Sequence, residues 1–470
     1  MTIAAAVDPD DVVQTLYLSF LGRAADPAGR DFLTRFVNLG DPAAVDALDD
    51  VFLSSQEFQD SFAARSSENY VRSVYFNLFD RNAGVDEVEL WTDRLDDGGL
   101  DRADLPGAIL ETARESDLEA YEAKLFIADY FTDQAARGGW LPDTLTFPDL
   151  RSNDELYADL NRLDARYDTL SLEVFGQSLD GNPLHAATVG TGEAELLFVT
   201  QQHGNEPIGT EAALYLLDFL SGDTELAKAL RDEVTVTVVP RVNPDGFARW
   251  EREVGGERGL TGPRLNNEGI DLNRTYDPAA PFGADEAPES VAVRELVARL
   301  EPDLLLDYHG QGNYRAEDGD LVTMSVLWPT NAGVDPAVAD ASKRAVAAIA
   351  ESLEDSDYDL LTLYPGETNP AIARNGFALG GTPTVLVEQR FLQEMSEAAR
   401  GLDLDYSALV SALTLEGFIT MKGLVEAAAD GSLETLDPAI AERLPERPPS
   451  IPYADVYGDD RYGAEELLIA

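Results

Sequence analysis

The sequence predicts an α/β domain built on a mixed sheet, preceded by a separate all-helical domain. Residues 9 to about 138 carry apolar residues at helical spacing, with no alternating strand pattern between them. From Asn153 onward, helical segments alternate with short apolar runs of the kind that form buried strands. Between the two lies RGGWLPDTLTFPDLRS, which holds Gly, Pro and polar residues without periodicity, as a linker does. The expected boundaries are a duplicated helical domain over 1–140, a linker over 141–152, the α/β domain over 153–430 and a Pro-containing acidic tail over 431–470.

The helical region reads VVQTLYLSFLGR, FLTRFVNL, AVDALDDVFLSSQEF and YVRSVYFNLFDR. Val13, Tyr17 and Arg23 recur as Val71, Tyr75 and Arg81, and Glu57 recurs as Glu115 in what reads as a helix-ending context. Two copies of one unit would pack as a single small bundle, its Tyr and Phe stripes forming core. In the α/β region we expect helices at Glu155–Tyr167, Thr210–Leu220, Ser290–Leu300 and Val338–Leu353, with more helix up to about Ala429. The expected strands are Leu170–Phe175, His185–Val189, a run from Leu196, Val234–Pro240, Leu304–Tyr308, Leu321–Leu327 and Thr384–Glu388. Pro448-Pro449 breaks any helix in the tail, which reads as a peripheral strap or a C-terminal secretion signal.

Composition narrows the functional classes. At 470 residues and 44% hydrophobic, the chain can bury at least one sizeable core. Its net charge of -54 would repel phosphates, which excludes nucleic acid as a partner. Only Lys124, Lys228, Lys343 and Lys422 are lysines; an acidic, Lys-poor surface fits high salt or a seawater-like medium, and equally a GC-rich genome that favours Arg codons. There is no Cys, so a metal would be held by His, carboxylate or water. MTIAAAVDPDD lacks a basic stretch and a long apolar one, and nowhere do about 18 apolar residues run together. We therefore expect neither an N-terminal signal peptide nor a membrane span.

The chemistry centres on LLFVTQQHGNEPI, an apolar run that ends in a polar turn carrying His203 and Glu206. Imidazole and carboxylate three positions apart can grip one zinc ion from a tight turn. Alone the pair is a short motif in a Glu-rich chain. His203, Asn243, His309 and Glu388 all fall at or just beyond the C-terminal ends of expected strands, where an α/β sheet gathers its chemistry. His185, by contrast, alternates along a strand and reads as structural.

HGNEPIGTEA, RVNPDGF, Arg264 with GIDLNRTY, LLDYHG and TPTVLVEQR follow one another in the order and approximate spacing of the zinc carboxypeptidases, the carboxypeptidase A-like metallopeptidases, and FGQSLDGNPL resembles that family's opening strand and turn. The resemblance spans about residues 153 to 425 and implies the mixed-sheet fold of that family and one zinc ion. It implies His203, Glu206 and His309 as zinc ligands with the fourth position left to water. It further implies Glu388 as general base and proton shuttle, Arg264 as the group that polarises the scissile carbonyl, and Asn273 with Arg274 as the clamp for the substrate's terminal carboxylate. Asp271 is implied as the carboxylate that orients His203. The family's mobile Tyr has Tyr364 as its nearest candidate, slightly too far upstream.

The implied substrate is a peptide or protein with a free C-terminus. Two other readings stay open: a zinc hydrolase of cell-wall peptides or acylated amino acids, and a non-catalytic module with the helical repeat as the functional part. LYLSFLGRAADPAGRDFL with LSSQEF resembles the small helical domain of unknown function found in many bacterial type I secreted and surface-layer proteins. That resemblance implies an extracellular protein in contact with a surface or matrix, with a cytoplasmic location as the alternative.

Overall fold

In a computed structural model of the chain, the described residues are 9–37, 48, 51–61, 65–79, 83–136, 150–254, 263–312, 314, 316, 322–354, 360–390 and 406–449. They belong to two compact units, 1–149 with 402–412, and 150–401 with 413–470. Most of the expected linker, Arg81 and the last stretch of the tail lie outside the described residues.

The first unit holds α1 (Pro9–Leu21), α2 (Pro27–Val37), α3 (Gln56–Ser61), α4 (Ser67–Phe79), α5 (Val85–Asp96), α6 (Leu105–Glu111) and α7 (Glu115–Ala136). Helix α4 repeats the bounds of α1, and α5 begins as α2 does, at the offset between Val13 and Val71. Both of those valines are fully buried and Tyr17 and Tyr75 are buried with them, so the apolar residues of the repeat form bundle core. The reading of Glu57 and Glu115 as helix-ending is corrected: Glu57 lies in the first turn of α3 and Glu115 opens α7. A carboxylate suits a helix N-terminus, where the unpaired amides carry partial positive charge, and Glu57 also pairs with Arg23 at 2.6 Å.

The second unit opens with α8 (Asn153–Arg166), capped by Ser152 and Glu155 in a reciprocal pair of hydrogen bonds. Its sheet runs β1 (Leu170–Gln177), β2 (Pro183–Val189), β4 (Val234–Val239), β3 (Ala194–Thr200), β5 (Leu304–Gln311), β8 (Thr384–Arg390), β6 (Met324–Leu327) and β7 (Leu361–Leu363). The central neighbours β4, β3, β5 and β8 are parallel to one another, while β1, β2 and the β6–β8 pair are antiparallel, so the sheet is mixed. This matches the near-continuous apolar runs of β3 and β5, which central parallel strands need because both faces are covered. Edge strand β1 is mostly half-buried, with three of its eight residues exposed.

Helices α9 (Ile208–Ser221), α10 (Glu225–Glu233), α11 (Pro244–Val254), α12 (Pro288–Leu300), α13 (Pro336–Leu353), α14 (Ala373–Leu379) and, from residue 413 on, α15 (Tyr406–Ala429) complete the unit. Of these, α10, α11 and α14 were not anticipated, nor was β7; all are short, and α14 contains a Gly. Strands β5 and β8 both outrun their expected ends. They pair through Gly310–Gln389 and Gln311–Arg390, which places His309 and Glu388 inside strands and not beyond them. Beyond α15, the short helices α16 (Ser432–Thr435) and α17 (Ala439–Glu442) lead to a parallel bridge of Glu446 with Leu363, so the described part of the tail is a strap on the β7 edge.

Candidate metal and catalytic site

The loop after β3 is built for a sharp reversal. Gln201 has a φ of 54°, a left-handed conformation that costs a non-Gly residue roughly 1–3 kcal/mol. Its amide offsets that cost by donating to the Gly204 carbonyl at 2.9 Å and accepting from Thr210 and Arg241, each at 2.6 Å. Gly204 is required here because a Cβ would stand 2.2 Å from the Gly246 carbonyl carbon. The turn folds back so tightly that His203 and Glu206 face the same point.

At that point three donors converge. His203 Nδ1 lies 2.9 Å from Glu206 Oε1, His309 Nδ1 lies 2.9 Å from Glu206 Oε2, and the two Nδ1 atoms are 3.0 Å apart. All three residues are buried. Two imidazole lone pairs and a carboxylate cannot face one another in a dry site without a proton or a cation among them. With bonds of about 2.0–2.2 Å, tetrahedral zinc spaces its ligand atoms roughly 3.3–3.5 Å apart, within small adjustments of this cluster. Two His and one Glu with no Cys is the donor set of a zinc centre that keeps a position open.

The far side of each imidazole is fixed by a carboxylate. His203 Nε2 meets Asp271 Oδ1 at 3.0 Å, and that same oxygen accepts from the Asn273 amide at 3.0 Å. Asp271 thus serves both as the cap of the short 3-10 turn Leu272–Arg274 and as the orienting group for His203. His309 Nε2 meets Asp307 Oδ1 at 2.9 Å, and Gln202 Nε2 holds that oxygen at 2.5 Å. Sequence reasoning missed Asp307. The signal was present in LLDYHG, because residues two apart on a strand share a face.

Charge follows this geometry. Burial raises Glu206, but the two imidazoles outweigh it and hold the carboxyl far below its usual range. Asp271 is likewise pulled down, burial being overcome by His203 and the arginines beside it. Burial alone would lower His309, yet Asp307 and Glu206 raise it well above an ordinary imidazole. Glu388, whose Cα is the register partner of His309 on the neighbouring parallel strand, presents its side chain on the same face. It is buried without a hydrogen bond or ion pair among the described residues, and burial pushes it up to about 8, with Glu206 and Asp307 adding and His309 and Arg264 opposing. A dication at the centre would draw it down again.

The remaining expected residues ring this centre. Arg264 donates to Glu206 at 3.1 Å and to Asp271 at 3.4 Å, and Asn243 pins its carbonyl at 3.3 Å. Asn273 stands 3.2 Å from His309 Nε2. Arg274 donates to the Asn273 carbonyl at 2.8 Å and has no carboxylate within 4.0 Å among the described residues. Tyr364 follows β7, its phenol held up by the Glu388 charge and by burial, and the Arg447 guanidinium lies over its ring at 4.5 Å and over Tyr314 at 4.1 Å. That clamp joins residues too far apart in sequence to be foreseen. His185 is no ligand; it packs on Tyr157 with ring centroids 4.9 Å apart.

A mixed α/β sheet carrying a single-ion His-Glu-His centre beside its central parallel strands defines a class of metal-centred α/β domains. The sequence model of the zinc carboxypeptidase family matches residues 156–316, and a domain of unknown function matches residues 50–116. The α/β unit thus carries a stretch that matches the zinc carboxypeptidase model, and the match covers about a third of the chain. Similar proteins include carboxypeptidase D of Anas platyrhynchos, 29% identical over 36% of this chain and 12% of that one. Carboxypeptidase E of Caenorhabditis elegans is 30% identical over 35% of this chain and 39% of that one. A Zymomonas mobilis protein is 29% identical over 29% and 33%. The chain therefore spans only a small part of the carboxypeptidase D relatives and about a third of the bacterial one. A metallo-carboxypeptidase structure from Burkholderia cenocepacia aligns over 60% of this chain and 70% of that one, at 21% identity and a TM-score of 0.45. Glu388 and Tyr364 lie outside the matched region.

Proposed function

We propose that the protein is a zinc-dependent carboxypeptidase that removes C-terminal residues from peptides. The observation that carries this reading is the convergence of His203, Glu206 and His309 with Glu388 in strand register beside them. Bound zinc supplies Lewis acidity and lowers the pKa of a water in its open position. Glu388 takes a proton from the water that attacks the scissile carbonyl carbon; as the C–N bond breaks, the same carboxyl delivers that proton to the leaving amine. Its unpartnered state among the described residues suits a group that must gain and lose a proton.

Arg264, partly exposed and already aimed at the centre, stands ready for the charge that grows on the carbonyl oxygen. Asn273 and Arg274 bind the terminal carboxylate, and Arg274 has no competing carboxylate partner among the described residues. Tyr364, whose phenol feels the charges of Glu388 and Arg264, closes over the bound peptide. Support for an extracellular location comes from the helical unit and its resemblance to secreted proteins; no helix among the described residues is long and apolar enough to cross a membrane.

The experiment is to compare the zinc-loaded protein and Arg274→Ala on peptides with free and amidated C-termini. Wild type should shorten the free peptide from its end and spare the amide. The variant should lose roughly 100-fold or more on the free peptide only. Equal losses on both peptides would contradict exopeptidase action.

A further inference from the structure

The strap beyond α17 reaches the rim of the site, and the mechanism above does not use it. Its backbone seats on the edge of β7: the Leu363 amide donates to the Pro445 carbonyl at 2.7 Å, and the Arg447 amide donates to the Leu363 carbonyl at 3.1 Å. Strand β7 spans only Leu361–Leu363 and pairs with β6 on its other side, so the strap covers an edge that would otherwise be open. Tyr364 is the residue that leaves this strand, its amide donating to the Val326 carbonyl at 3.0 Å. Residues 365–372, which follow it, form no helix or strand. Backbone alone therefore holds the Tyr364 ring weakly.

One side chain of the strap supplies the rest. The Arg447 guanidinium lies 4.5 Å from the ring centre of Tyr364 and 4.1 Å from that of Tyr314, and its Nη1 donates to Gln311 Oε1 at 2.8 Å. Gln311 is buried at the end of β5, two residues beyond His309, and residues two apart on a strand share a face. In a chain with 88 acidic residues against 34 basic ones, Arg447 forms no ion pair among the described residues; two aromatic faces and one amide engage it instead. The phenol of Tyr364 feels the Glu388 carboxylate most strongly, followed by Arg447, Tyr314 and Arg264, which sets it beside the metal centre.

We propose that Arg447 is a positioning residue for the reaction, fixing the Tyr364 ring beside the metal centre and tying it through Gln311 to the strand that carries His309. This rests on the carboxypeptidase reading and brings the strap into it. A ring already held in place need not be ordered when peptide binds, so the contribution of Arg447 falls on binding and not on bond breaking.

The test keeps this proposal apart from the reading it rests on. Kinetics of the zinc-loaded protein on N-acyl dipeptides with a free C-terminus are compared for wild type, Arg447→Met, Arg447→Lys, Tyr364→Ala and the double variant Arg447→Met with Tyr364→Ala. Arg447→Met should raise KM roughly 5- to 30-fold and change kcat less than about twofold, as when a cation leaves an aromatic face that shapes binding alone. Arg447→Lys, which keeps the charge and loses the fork, should recover part of that loss. In the Tyr364→Ala background the change at Arg447 should cost nothing further, because its effect passes through the ring. A second readout needs no turnover. In protein labelled with meta-fluorotyrosine, the Tyr364 fluorine signal, assigned by its absence in Tyr364→Phe, should differ more between light and heavy water in Arg447→Met than in wild type, as the freed ring meets solvent. A loss that falls on kcat, an equal loss in the Tyr364→Ala background, or an unchanged solvent effect on the fluorine signal would overturn the proposal. Absence of turnover in wild type would overturn the carboxypeptidase reading and leaves the fluorine signal to judge Arg447. Arg447→Lys alone should show a smaller rise in KM and in solvent effect, so the comparison stands even where Arg447→Met folds poorly.

Discussion

The helical unit and the α/β unit both bury polar and charged side chains, and they treat them in opposite ways. In the helical unit Lys124, 2% exposed, donates to the Phe76 carbonyl at 3.0 Å and the Asn77 carbonyl at 2.8 Å, closing the last turn of α4. Gln14 bonds Thr132 at 2.8 Å and accepts from the Ala25 amide at 2.9 Å. Among the described residues of that unit, Thr92 Oγ1 is the one buried side-chain polar atom without a partner. Among the described residues around the metal centre, Gln202 Oε1, Asn205 Oδ1, Asp307 Oδ2 and Arg374 Nε all lack one and Glu388 makes no bond, and further such atoms lie elsewhere in the unit. Unsatisfied buried groups cost about 1–3 kcal/mol each, so those at the centre mark where ligand, water and metal complete the structure. The first unit spends its polar groups on itself; the second holds them open.

The largest expected effect separates the two directly. Glu388→Gln should lower kcat by at least about a thousandfold while metal analysis still finds one zinc per chain. Its thermal melting should stay at or above wild type, since an unpaired buried carboxylate has been removed. Lys124→Met should do the reverse. Two carbonyls lose their donor, at a cost of about 2–4 kcal/mol read by denaturant unfolding of the helical unit, with kcat/KM unchanged. Loss of activity in Lys124→Met would break the contrast between the units.

Asp307→Asn tests the orienting carboxylate. Zinc affinity measured by competition with a chelator should drop roughly 10- to 100-fold, as expected when the group that fixes a metal-bound imidazole is weakened. The smallest effect sharpens the contrast from the helical side. Burial pushes Asp129 up to about 6, although it accepts from Gln14 and lies near Arg30. Its folded pKa lies above the unfolded value, so its contribution favours the fold fully below about pH 4 and is lost as pH rises through 6. Asp129→Asn should therefore gain about 1 kcal/mol at pH 7, after allowance for its partial exposure, and nothing at pH 4. Equal gains at both pH values would remove the titration from the account.

Much of this centre was legible because its parts sit in short motifs at strand ends. HGNE, DLNR and DYHG keep ligand, clamp and strand together in the sequence, and the structure brings those residues within hydrogen-bond reach. Asp307 was legible too, through its two-residue spacing from His309. Arg447 was not, because the strap brings it to Tyr364 only through a strand bridge. The reading of Glu57 and Glu115 failed for a simpler reason: a carboxylate after a polar stretch marks a helix start as readily as an end, and the first-turn dipole favours the start.

The most direct measurement is a zinc titration of metal-free protein, followed by mass spectrometry of a peptide with a free C-terminus and its amidated twin. The account predicts activity that rises with zinc to one equivalent per chain, shortening of the free peptide one residue at a time, and an intact amide. Internal cleavage, equal attack on both peptides, or activity indifferent to zinc would contradict it.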